Sequence, residues 1–83
     1  MPTEHLDRAL AEEFAGHGDT IHKLKVADPD FKSLMVRNHA IWLEIHRIES
    51  GEAAASDHYL EALKKQRLVV LDEIAAAIGE AES

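Results

Sequence analysis

The sequence predicts an all-α protein: short N-terminal helical segments followed by a long antiparallel coiled-coil hairpin. Three observations carry that expectation. Residues 31–48 place Phe31, Leu34, Asn38, Ile41, Ile45 and Ile48 at alternating intervals of three and four. Residues 60–77 repeat the pattern with Leu60, Leu63, Arg67, Val70, Ile74 and Ala77. Such spacing draws one stripe along one helix face, the seam of a coiled coil. Paired antiparallel, Ile48 faces Leu60, Ile45 faces Leu63, Ile41 faces Arg67, Asn38 faces Val70, Leu34 faces Ile74 and Phe31 faces Ala77. The two position numbers have the same sum in every pair, so one register satisfies all six layers.

Each element has its own start and stop. Leu6, Leu10 and Phe14 recur every four residues, a narrow apolar stripe on a short helix. Gly16-His17-Gly18 breaks it, and Asp19 is placed to cap a second short segment holding Ile21 and Leu24. Asp28-Pro29-Asp30 is the clearest start signal: Asp28 suits the N-cap, Pro29 the first helical position, and Asp30 the positive end of the helix dipole. The long helix then runs to Ser50, with Gly51 free to close it in a left-handed conformation. Ser56 caps the next helix, Asp57 and Glu61 favour its first turns, and Gly79 is the expected stop. One domain over 1–83 results, with short helical segments in 3–26, long helices at 29–50 and 57–78, and a turn at 51–55.

Composition narrows the function classes. The 83 residues contain no cysteine, which removes disulfide staples and thiolate zinc sites together. No apolar run approaches a membrane span, and the polar N-terminus lacks a signal-peptide core, so a cytoplasmic location and no membrane partner are expected. The net charge is −7 and unevenly spread. Residues 21–48 set Lys23, Lys25, Lys32, Arg37 and Arg47 against Asp28, Asp30 and Glu44, while acids prevail on either side. Non-specific nucleic-acid binding rests on cations that displace counterions from phosphates, a poor match to an acidic chain.

The hairpin also dictates its flanks. With the seam at a and d, the g positions hold Arg37, Glu44, Gln66 and Glu73, a polar side on which Arg37 is placed to meet Glu73. The e positions hold Met35, Trp42, Leu71 and Ile78, interrupted by Glu49 and Lys64. That side is an apolar ledge carrying the only tryptophan, and it needs a cover. An isolated hairpin of this length buries too little to offset its ordering entropy. Two covers are available: the N-terminal segment through Leu6, Leu10, Phe14, Ile21 and Leu24, or the ledge of a second copy in a four-helix bundle. Both are expected, making Met35, Trp42, Leu71 and Ile78 interface anchors in a homodimer or higher oligomer. Asn38 and Arg67, in adjacent seam layers, reduce stability but fix register, with Arg67 sending its head toward Glu44.

Several runs resemble the YdcH-like family, small bacterial proteins classed as a domain of unknown function. The runs are Ile21-His22-x-Leu24-Lys25-x-x-Asp28-x-x-Phe31-x-x-Leu34, Ile45-His46-Arg47-Ile48-Glu49, Ser56-Asp57, and Leu63-Lys64-Lys65-x-Arg67-Leu68 with Asp72-Glu73-Ile74. The resemblance covers about residues 14–78. It implies a short helix before a long helical hairpin, a bacterial cytoplasmic setting and coiled-coil self-association, with no enzyme activity and no catalytic residues to carry over. The chain departs from the family at Phe14-Ala15-Gly16, where Phe-Pro-Glu is usual. It also departs at Asn38, usually Tyr, and at Trp42 and Leu71, usually polar; the last two enlarge the ledge.

Chemistry finds few parts. His5, His17, His22, His39, His46 and His58 are the only suspicious side chains. His39 and His46 fall on one outer face but about 10 Å apart along the axis, too far to share a metal ion. His46 with Glu49 makes half a site at best, so a metal- or small-ligand-binding bundle that recruits His39, His46 and Glu49 from facing subunits is the alternative reading. The four serines suggest no Ser–His–acid set, and Glu12-Glu13 and Asp72-Glu73 are adjacent pairs that point in different directions. No glycine-rich phosphate loop occurs. The expectation is therefore a non-enzymatic protein without cofactor or metal, acting by self-association and by contact with a further protein partner.

Overall fold

The computed structural model describes Leu10 and residues 13–83. Among them three helices follow in order: α1 (Gly18–Ala27), α2 (Pro29–Glu49) and α3 (Asp57–Glu82). The second and third form the antiparallel hairpin, and α1 packs on both of them. The molecule measures 40 × 25 × 22 Å along its principal axes.

Capping residues set the hairpin's ends. The Asp28 side chain accepts hydrogen bonds from the backbone N–H groups of Asp30 (3.0 Å) and Phe31 (3.3 Å), with Pro29 in the first helical position. Ser56 accepts from the Tyr59 N–H at 3.1 Å and starts α3 in the same way. The α2 C-terminus closes through Gly51, whose φ of +88° disfavours any side chain. Its N–H donates to the Ile48 carbonyl, and the Ala53 N–H folds back onto the Arg47 carbonyl.

Two boundaries differ from the sequence expectation. Helix α1 begins at Gly18, with His17 in the cap position and no side-chain cap bond, so Asp19 lies inside the first turn. There it favours the dipole rather than capping. Helix α3 runs through Gly79 to Glu82. An interior glycine costs about 1 kcal/mol relative to alanine, but Ile78 is packed into the core and Glu82 is bonded from α1 and the residue before it. The last turn is thus held by tertiary contacts. The short helix expected before Gly16 lies largely outside the described residues; residues 13–16 form a turn, and Gly16 has a φ of +89°.

The seam layers fill the interface as expected. Phe31, Asn38, Ile45, Leu63, Val70 and Ile74 are buried, and the other six seam residues are half-buried. The main core gathers Leu10, Ile21, Phe31, Met35, Val70, Leu71, Ile74 and Ile78, with Phe14 and Leu24 packed on it. Three of the four ledge residues therefore lie inside the molecule. Helix α1 and the turn before it cover Met35, Leu71 and Ile78, so these three are core residues of one chain and not exposed anchors for a second.

Candidate functional site

What remains of the ledge lies toward the turn end of the hairpin. A groove of about 330 Å³ runs there between α2 and α3, walled by Trp42, Ile45, Leu68 and Leu71. Trp42 is half-buried, and Leu68 is 60% exposed. The rim is charged with both signs. Lys64 and Glu49, the two residues that interrupt the apolar ledge, pair with each other at 3.0 Å. Across the groove, Arg67 Nη1 lies 3.7 Å from Glu13 Oε1.

One rim residue is anchored in the seam. Arg67 Nε donates to Asn38 Oδ1 at 3.2 Å, and Asn38 is completely buried. Asn38 Nδ2 has no hydrogen-bond partner among the described residues. Arg67 lies one turn before Val70, the layer partner of Asn38, so this bond joins adjacent layers and ties their register together. The two polar seam residues thus satisfy each other in part, which lessens the cost of burying them. Glu44, the expected partner of Arg67, instead accepts a hydrogen bond from the Tyr59 hydroxyl. That bond, with burial and the carboxylate charge behind it, raises the Tyr59 phenol above its ordinary value of 10.0. Arg37 and Glu73 are both exposed, and no ion pair joins them among the described residues. The polar contacts between the two helices are instead Arg67–Asn38 within the seam and Lys64–Glu49 on the opposite flank.

The histidines of α2 have a neighbour that the spacing alone did not name. His39 and His46, half-buried and exposed, share the outward row expected of them and flank Trp42, with ring centroids at 5.9 Å and 4.1 Å. His46 Nδ1 lies 3.0 Å from the Trp42 carbonyl oxygen. A carbonyl only accepts, so Nδ1 is the donor in this contact. The sequential spacing of 39, 42 and 46 makes a ring ladder along one helix edge. Among the described residues, no three His, Asp or Glu side chains are grouped to hold a metal ion.

Leu68 and Glu13 were not marked by the seam pattern. Leu68 sits just outside the e positions, and Glu13 reaches Arg67 only because the N-terminal turn folds back. A second pattern was legible but unused: Val36, Ala40, Leu43 and Arg47 repeat at four, three and four on the face of α2 opposite the seam.

Fold and surface together define a small helical-hairpin protein with an N-terminal cover and no membrane-crossing helix among its described residues. The family model described as a protein of unknown function, DUF465, matches residues 31–78, and the chain belongs to that family. The matched stretch is the hairpin without α1, and the YdcH-like resemblance agrees with it. No curated protein and no solved structure matches the chain.

Proposed function

We propose that the chain is a cytoplasmic, non-enzymatic helical module that works by self-association, two copies meeting across the Trp42 groove. The observation that carries this reading is the open end of the ledge. Trp42 and Leu68 stand together at a concave apolar site, and tryptophan is among the residues enriched as interface anchors. The charged rim supports a second copy as the occupant. Glu13 and Glu49 alternate with Lys64 and Arg67, so a two-fold contact lets each acid face the other copy's base. Of the four anchors expected from sequence, only Trp42 keeps that role, and Leu68 joins it.

Sedimentation equilibrium across micromolar concentrations tests the proposal. The parent chain is expected to show a dimer mass that falls to the monomer in Trp42→Glu and in Leu68→Glu. Unchanged circular dichroism in Leu68→Glu excludes misfolding, because that side chain lies outside the core. A concentration-independent monomer for the parent chain overturns the reading.

A further inference from the structure

The open groove holds metal-ligand chemistry that apolar contact leaves unused. His46 and Glu49 line it together, both exposed and three apart on α2, so they are neighbours on the helix surface. The imidazole is held in place. Its ring lies against that of Trp42, with centroids 4.1 Å apart, and Nδ1 donates to the Trp42 carbonyl at 3.0 Å. Metal-binding imidazoles use one nitrogen in this way, on a carbonyl or carboxylate that orients the ring and aims the other nitrogen at the ion. In the neutral ring of His46 the lone pair then falls on Nε2.

One imidazole and one carboxylate are half of a zinc site, which takes four ligands. Among the described residues no third His, Asp or Glu joins them within one copy, and His39 stands on the other side of Trp42. The missing half has to come from another chain. A two-fold axis sets each residue near it opposite its own counterpart. His46 touches Trp42, the anchor of the two-fold contact, so the same contact brings the two His46–Glu49 edges toward each other. Two imidazoles and two carboxylates make a four-ligand set suited to zinc.

We infer that the Trp42 groove is a zinc site shared between two copies, in which each copy supplies His46 Nε2 and the Glu49 carboxylate. The inference rests on the two-fold contact at Trp42 and adds what controls it: an ion bound only by the pair of chains favours the pair. Lys64 is the competitor for the ion. It holds Glu49 at 3.0 Å in a pair exposed on both sides, and a solvated ion pair is weak enough to yield to a metal bond. Binding exchanges that pair for ligation and leaves Glu13 and Arg67 as the charges that face each other across the copies.

The test titrates the untagged full chain with zinc chloride by calorimetry. One zinc per two chains is expected, with affinity lowered about tenfold or more in His46→Ala and in Glu49→Gln. Lys64→Gln keeps both ligands and releases Glu49, so it should bind zinc more tightly. Trp42, the only tryptophan, gives a second readout: nickel at His46 should quench its fluorescence in the parent chain and not in His46→Ala. The three substituted side chains are exposed, and an unchanged thermal melt without metal confirms that the variants fold. Sedimentation equilibrium in EDTA and in zinc separates this inference from the contact beneath it. A dimer in EDTA that takes up no zinc overturns the metal site and leaves the Trp42 contact standing. A monomer in both overturns the two together. A monomer in EDTA that pairs with half an equivalent of zinc supports the metal site and makes the contact depend on it. Uptake of one zinc per chain, or uptake that survives His46→Ala, overturns the shared site.

Discussion

The apolar ledge of the hairpin is one continuous sequence feature with two fates. Toward the start of α2, Met35 and Ile78 are sealed under α1; Leu71 is buried at the boundary, where it also walls the groove, and toward the turn Trp42 and Leu68 stay accessible. Length explains the difference. The ten residues of α1 span about 15 Å, while the 21 and 26 residues of α2 and α3 span about 32 and 39 Å. A helix of that length covers under half of the ledge. The preceding turn extends the cover as far as Leu10 and Phe14, and Glu13 ends it at Arg67. One half thus became core and the other stays accessible, although Trp42 occupies the same heptad position as Met35, Leu71 and Ile78.

The largest expected effect sets the two halves against each other. Ile74→Ala, in the sealed half, should lower stability by about 2–5 kcal/mol in urea denaturation. Leu68→Ala, in the open half, should stay within about 0.5 kcal/mol at concentrations where the chain is monomeric. Similar losses at both sites would mean that the groove is closed within one chain. A smaller effect is expected at the boundary. Arg67→Ala removes the donor that reaches the buried Asn38 Oδ1 and should cost about 1–3 kcal/mol. If Asn38→Leu in the same background restores the loss, the cost was the stranded amide rather than lost packing by the arginine stem.

The smallest effect lies at the far end of the sealed half. Glu82 Oε2 accepts from His17 Nδ1 at 2.7 Å and from the Thr20 hydroxyl at 2.8 Å, clasping the last turn of α3 to the start of α1. These hydrogen bonds, His17 first, hold the Glu82 carboxyl below its ordinary value of 4.5. A carboxylate that is more acidic in the folded state stabilises it above its unfolded value and loses that contribution as pH falls through the folded one. Glu82→Gln should therefore lower the melting temperature slightly at neutral pH, with the difference shrinking as pH falls below the ordinary carboxylate range. The groups are exposed, so salt should shrink the effect as well. A difference that persists in acid would assign it to the hydrogen bonds of the amide-sized side chain and not to charge.

Much of the fold was legible because it is written in short-range rules. The 3-4 spacing, the Asp28-Pro29 start, Ser56 and Gly51 each act within a few residues, and each does in the structure what local geometry requires. Gly79 misled because a local stop signal of about 1 kcal/mol yields to packing of Ile78 and the Glu82 clasp, contacts made with residues about sixty positions away. Arg37–Glu73 and Arg67–Glu44 misled for a related reason. Heptad positions say which residues share a side, but a long side chain chooses among several partners within reach. Arg67 had a buried amide one layer away, and Glu44 had a phenol.

By itself the sequence determined an all-helical hairpin, its register and its caps, and it marked one flank as too apolar to stand alone. The periodicity of a helix fixes faces, and a face is a local property. Only the tertiary structure decided how far the cover reaches and which of Met35, Trp42, Leu71 and Ile78 remains available. Those outcomes depend on where α1 lands and how the turn folds back, and both are set by contacts between residues distant in the chain.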